Sequence, residues 1–118
     1  MPAVLASDVV QDGLITIAPK FAIIDGATFG HNTLVAAVTG KKIRVLALFA
    51  VASAVVTVRF ESGAGGTALT GQMVMATGGG IVLPFNPVGW FETAAATLLN
   101  MELSGAVSVD GCLVYIEV

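Results

Sequence analysis

The chain has 118 residues and a formal net charge of −3; 56% of its residues are apolar and only 11% charged, against about 25% charged in an ordinary soluble domain. Five Lys and Arg residues are too few for the clustered phosphate contacts of a nucleic-acid binder. The single cysteine, Cys112, excludes an intrachain disulfide and a cysteine-based zinc site.

Residues 1–12 mix small apolar and polar types without clean periodicity and read as an arm or first edge segment. They lack the basic start and sustained apolar core of a signal peptide. Asp12-Gly13 is a turn signal, and Leu14 to Ala18 is strand-like, closed by Pro19-Lys20. Phe21 to Ile24 is a second short apolar run. It ends at Asp25-Gly26, a dipeptide favoured in tight hairpins, with Ala27-Thr28-Phe29 as its returning partner and Gly30-His31-Asn32 as a loop. Thr33 to Val38 reads as a strand, and Thr39 to Lys42 as a polar turn.

Ile43 to Ala50 follows as a strand. Strict alternation puts Ile43, Val45, Ala47 and Phe49 on one face and Arg44, Leu46 and Leu48 on the other. Both faces are apolar after Arg44, which predicts a central strand covered on both sides. Ala52-Ser53-Ala54 makes a corner before the strand Val55 to Phe60. The uncharged run Val45 to Val58 is 14 residues long, short of the roughly 20 a spanning helix needs, and its β-branched content favours strands. No membrane is therefore expected as a partner. The excess apolar surface of so small a domain must then be buried against other protein chains.

Ser62 to Gly66 is a glycine-rich loop. Thr70 to Ala76 and Ile81 to Phe85 read as strands joined across Thr77 to Gly80, and Asn86-Pro87-Val88-Gly89 as a turn into Trp90-Phe91-Glu92. Thr93 to Leu99 is the one alanine-rich place for a short helix. Leu98 to Leu103 and Val107 to Val118 close the chain as strands. About eight to ten short strands with regular turn signals predict an all-β, antiparallel β-sandwich or barrel in a single domain. Within it, residues 1–40 form an N-terminal arm and edge strands, and residues 41–118 the sandwich core.

Reactive chemistry is sparse. Gly66 to Gly71 has the outer spacing of a phosphate-binding loop, but Gln72-Met73 stand where Lys and Ser/Thr are required, which removes the charge that holds the phosphates. His31, the only histidine, has no partner at a metal-ligand spacing and no nucleophile motif to serve. The carboxylates Glu61, Glu92, Glu102, Asp110 and Glu117 are scattered over separate elements. No catalytic residue, metal or cofactor is expected, and Cys112 reads as a small buried hydrophobe.

The candidate contacts are interfacial. Trp90 and Phe91 are large aromatics fit for a core or a subunit seam, and truncating Trp90 there would cost about 3–5 kcal/mol. Glu92 reads as a charge at the end of the short helix or as a bond across a subunit boundary. Lys41, Lys42 and Arg44 hold three of the five cationic charges. They form either a solvated turn or a basic patch that docks on an acidic protein surface.

Three blocks carry a family resemblance: Asn32-Thr-Leu-Val-Ala-Ala-Val-Thr-Gly-Lys-Lys-Ile-Arg-Val-Leu46, Val58-Arg-Phe-Glu-Ser-Gly63 and Gly80-Ile-Val-Leu-Pro-Phe-Asn-Pro-Val-Gly-Trp-Phe-Glu-Thr-Ala94. Together, over about residues 32–118, they resemble small structural proteins of tailed bacteriophages, of the capsid decoration or minor capsid type. The resemblance implies a jelly-roll-like sandwich, assembly as a homotrimer, the major capsid protein as partner and a place on the capsid surface of the virion. It implies no catalytic residues. A receptor- or glycan-binding module of a tail fibre or baseplate is the alternative.

Overall fold

A computed structural model describes residues 10–12 and 15–118, with side chains from Ile17 onward. Residues 1–9 of the expected arm, and Gly13 and Leu14 at the expected first turn, lie outside the described residues. Twelve strands follow in order: β1 Val10–Asp12, β2 Ile15–Ile17, β3 Lys20–Gly26, β4 Gly30–Val35, β5 Ile43–Ala52, β6 Val56–Ser62, β7 Thr67–Ala68, β8 Met73–Met75, β9 Gly80–Leu83, β10 Phe91–Glu92, β11 Leu99–Leu103 and β12 Val109–Glu117.

Apart from the β1–β2 pair, these strands form two five-stranded antiparallel sheets packed face to face as a β-sandwich. In the first sheet β12 lies between β3 and β5, and both β9 and β10 pair with the far side of β5. In the second, β11 lies between β4 and β6, and both β7 and β8 pair with β6. The pairings nest. β3 meets β12, β4 meets β11, β5 meets β10 and β9, and β6 meets β8, so the chain behaves as one long hairpin folded back and forth between two layers.

The core is the space between the sheets. Val56, Val58 and Phe60 of β6 and Leu99, Met101 and Leu103 of β11 face Ile24 of β3, Ile43, Val45 and Leu48 of β5, and Val109, Leu113 and Tyr115 of β12. These strands are rich in β-branched and large apolar residues at alternate positions, which suits a pleated, half-buried surface.

A β-bulge alters the facing predicted for β5. Ala47 pairs with Val114 and Val45 with Tyr115, so Leu46 is an extra residue opposite no partner. A bulge shifts the alternation by one position. Ile43 and Val45 point inward before it, and Leu48, Ala50 and Ala52 after it, while Ala47, Phe49 and Val51 turn outward. The strand is covered on both sides only near the bulge. There Leu46 and Ile116 form a second, smaller apolar cluster with Ile17 of β2, Val114 and Val118.

Other local expectations change as well. Asp25-Gly26 does not turn a hairpin; both residues pair with β12, at Asp110 and Val109. Ala27, Thr28 and Phe29 form the connection, and Gly30-His31-Asn32 opens β4 rather than a loop. Asn32 fixes that connection, its Nδ2 donating to the Thr28 carbonyl at 2.9 Å. There is no helix among the described residues. Thr93 to Leu98 is a turn instead, with Ala96 at a positive φ of 55° and its N–H donating to the Lys41 carbonyl at 2.8 Å. The sandwich draws on both sides of the division expected near residue 40, with β3 and β4 as edge strands of the two sheets.

Candidate functional site

The outer face of the first sheet carries two apolar rows, bordered by a row in which Asp25 and Asp110 stand beside Val51. On the first sheet the register aligns Ile23, Cys112, Phe49 and Val82 in one row across four strands, with Phe21, Val114 and Ala47 in the next. Phe21, Ile23 and Val82 are each 75% exposed and Phe49 is 51% exposed. Beneath the projecting side chains lies an apolar groove of about 160 Å³ over Ala47, Leu48, Leu83, Cys112 and Val114. Cys112 is a free, half-buried thiol on this face, rather than a member of the core. The largest apolar patch on a typical monomer is about 300–600 Å² and is often functional, which makes this face a candidate contact surface.

The second sheet presents mainly polar side chains at the equivalent outward positions, with the exposed Val74 of β8 as an exception. Here β11 places Asn100 beside Glu61 and Glu102 beside Arg59. The Glu61 carboxylate is fully buried. It accepts 2.6 Å and 3.1 Å bonds from Arg59, a 2.9 Å bond from Asn100 Nδ2 and a 3.1 Å bond from the Gly65 N–H. Gly65 has a φ of 69°, a left-handed conformation that glycine adopts without penalty. Arg59 also reaches Glu102 at 2.6 Å.

Burial pushes the Glu61 carboxyl upward, but the bonds from Arg59, Asn100 and Gly65 outweigh it and hold it below its ordinary value. The Glu61 hydrogen bond in turn raises the Arg59 guanidinium, against the effect of burial and with help from Glu102. His31 lies 3.8 Å from Glu61 Oε1 and 3.2 Å from Asn100 Nδ2. The cluster thus ties three strands and the Ser62–Gly66 loop together. The sequence scatters Glu61 and Glu102 over separate elements and offers His31 no partner. The signal that unites them is the outward phase they share with Arg59 and Asn100 on neighbouring strands, which only the pairing reveals.

The interface candidates Trp90, Phe91, Glu92, Lys42 and Arg44 converge at the β5–β10 edge, where Phe91 pairs with Val45 and Glu92 with Arg44. Arg44 Nε donates to Glu92 Oε1 at 2.8 Å, and Lys42 Nζ lies 3.7 Å from Glu92 Oε2. Glu92 therefore pairs with both basic side chains, one carboxylate shared by two cations, and does not cap a helix. Lys41 is exposed. Its backbone holds the adjoining turns through Val38 and Ala96. Gly89, at a φ of 95°, closes the Asn86–Gly89 turn that delivers Trp90 to this edge.

The two aromatics part company there. Phe91 stacks on the buried Phe60, with ring centroids 5.3 Å apart. Trp90 is 42% exposed, and its indole N–H donates to the Pro84 carbonyl at 2.8 Å. With that much of the ring in water, Trp90→Ala is expected to cost about 1–2 kcal/mol, combining partial burial with one hydrogen bond. That is less than the core-like 3–5 kcal/mol, and chemical denaturation measures the difference; a loss above 3 kcal/mol would mean the ring supports more of the core than its exposure suggests.

Among the described residues no helix is long and apolar enough to cross a membrane, and no group of three or more His, Cys, Asp or Glu residues is placed to hold a metal ion. Comparison of the chain with protein-family models, with curated proteins and with solved structures finds no match.

Proposed function

We propose that this chain is a structural protein of a bacteriophage virion, a non-enzymatic capsid decoration (cement) protein that assembles as a homotrimer and stabilises the major capsid lattice. The observation that carries the reading is the exposed apolar face of the first sheet, the surface of a protein built to be covered by protein. The residue blocks around Lys41, Arg59 and Trp90 that resemble tailed-phage structural proteins supply the setting. The nested pairing of β3 to β6 with β12 to β8 supports a jelly-roll reading of the sandwich, a double-sheet arrangement frequent in capsid proteins. A buried, charge-assisted network and a well-filled core suit a module whose task is to stay folded.

The alternative, a receptor- or glycan-binding module of a tail fibre or baseplate, draws on one observation. Phe29, 68% exposed, stands at the mouth of a cleft of about 110 Å³ lined by Arg59, Gln72 and Glu102. An aromatic face beside planar polar groups suits a sugar. Quantitative mass spectrometry of purified virions, with head and tail fractions separated, decides between the two. The decoration reading expects copy numbers comparable with those of the major capsid protein, in the head fraction. A handful of copies confined to tails would sink it in favour of the alternative.

A further inference from the structure

We infer that the cleft beside Phe29 binds one neutral sugar ring, a hexopyranose without carboxylate, sulfate or phosphate. The inference deepens the glycan reading of that cleft and rests on it. It holds wherever the chain sits in a virion, because the cleft opens on the second sheet and the apolar face lies on the first.

Charge selects against an acidic ligand. Arg59 is the one cation among the described residues that line the cleft. Its Nη2 already bonds Glu61 Oε2 and Glu102 Oε1, each at 2.6 Å. One guanidinium against two carboxylates leaves a net negative charge, which repels an anionic sugar and leaves a neutral one unaffected. The other four cations lie on the first sheet or in the turn leading into β5.

The uncommitted polar groups suit hydroxyls. Among the described residues, Arg59 Nη1 and Glu102 Oε2 have no hydrogen-bond partner; the first donates and the second accepts. A vicinal diol presents the reciprocal pair, one hydroxyl oxygen for the guanidinium and one O–H for the carboxylate. Gln72 is exposed just before β8 and adds an amide that both donates and accepts. Ser104 Oγ accepts from the Thr57 N–H at 2.8 Å, so its own O–H is left to donate. The exposed phenyl ring of Phe29 offers a flat apolar surface to the C–H face of a sugar.

These groups are set before a ligand arrives. Arg59 is held by the fully buried Glu61, and the Ser104 N–H returns a 3.0 Å bond to the Thr57 carbonyl. The connection carrying Phe29 is fixed by the bonds between Thr28 and Asn32. Binding therefore orders few side chains. Size limits the occupant to one ring. The cleft, at about 110 Å³, has roughly three-quarters of the volume of an apolar cavity that encloses benzene. It seats a six-membered ring with the outer edge in water, and it is well below the ~300 Å³ and more of sites for larger ligands.

The test is an amide NMR titration of the isotope-labelled chain, with circular dichroism melts to establish that each variant is folded. The probes are the methyl glycosides of glucose, galactose and mannose, with glucuronic acid and N-acetylneuraminic acid as the acidic sugars. At least one neutral glycoside is expected to bind in the millimolar range, shifting the amides of Gly30, Gln72 and Ser104. The acidic sugars are expected to bind about tenfold more weakly. Phe29→Ala is expected to weaken the neutral sugar about tenfold. Glu102→Gln is expected to narrow the gap between neutral and acidic sugars, since it leaves one guanidinium against one carboxylate. Val88→Ser, at an exposed position in the turn before β10, is expected to leave binding intact.

A folded wild-type chain that binds none of these sugars far above that range would remove the glycan reading and this inference with it. Acidic sugars bound as tightly as neutral ones, with Phe29→Ala still damaging, would keep the glycan reading and overturn the neutral ring. A gap that Glu102→Gln leaves unchanged would overturn charge as its cause. Binding that survives Phe29→Ala, with shifts confined to the first sheet, would overturn the site.

Discussion

Phe60→Ala is expected to lower the unfolding free energy by about 3–5 kcal/mol, the range for truncating a large aromatic in a packed core. Phe60 is fully buried at the inward phase of β6, between strands that its own backbone helps to pair. Its ring stacks on Phe91 from the opposite sheet at an interplanar angle of 24°, so the contact bolts the two layers together where β10 joins β5. The cost has two parts: the transfer free energy of the lost ring, and a cavity that rigid flanking strands cannot close. Phe91→Ala is expected to cost less, because Phe91 is only half-buried. A double-mutant cycle should return a coupling of about 0.5–1.5 kcal/mol for the aromatic pair. Urea denaturation at a fixed oligomeric state makes the measurement. A loss below 1.5 kcal/mol in Phe60→Ala would show that the layers can move together and that the stack is not what spaces them.

Glu61→Leu is the second large effect. The substitution removes a buried acceptor that serves Asn100 and Gly65 at once and strips Arg59 of one of its two carboxylate partners at 2.6 Å. A buried donor left without an acceptor costs about 1–3 kcal/mol, so a loss of several kcal/mol is expected. The pH dependence has a definite sign. Glu61 titrates below its ordinary value in the folded chain, so in this range the unfolded state binds more protons. The stability contributed by the ionised carboxylate is therefore fully present above the ordinary carboxylate pKa and is lost as pH falls through the lower folded value. In Glu61→Gln, stability should fall less steeply between neutral pH and strong acid than in the wild-type chain. Arg59→Met should move the acid-unfolding midpoint upward, because burial then acts on the carboxylate without its cation. Identical acid-unfolding curves for wild type and Glu61→Gln would mean that other carboxylates set the acid limit.

The all-β sandwich was legible because strand alternation and turn residues are local signals, repeated often enough to survive individual errors. The strands around Met101 and Leu113 lie within segments that the sequence marks as strands, and those around Val45 and Val58 each run two residues past the marked end. What failed was the facing of β5. One extra residue at Leu46 reverses every side chain after it, and nothing in Val-Leu-Ala-Leu announces a bulge. That single error hid the exposed apolar face, since Phe49 reads as covered when the phase runs unbroken and as exposed once the bulge is placed. The buried network was hidden for a different reason. Arg59, Glu61, Asn100 and Glu102 belong to strands separated by some forty residues, and their meeting depends on register, a non-local property. Trp90 misled through composition, for a lone tryptophan suggests an anchor. Its turn at Asn86 to Gly89 leaves it at the rim, and the anchor on that edge is its neighbour Phe91.

The nested pairing has a consequence for how the chain is made. β12 is the middle strand between β3 and β5, so the first long strands of the sandwich have no shared neighbour until the last strand exists. While the chain emerges from the ribosome, β3 and the edge of β5 not taken by β9 and β10 stay open until β12 is made. The sandwich can close only in one late event that joins segments nearly ninety residues apart, the kind of high-contact-order closure that takes milliseconds to seconds. During that interval the apolar side chains of β3 and β5 are exposed to every other unfinished copy, which makes the unfinished chain the species most open to aggregation.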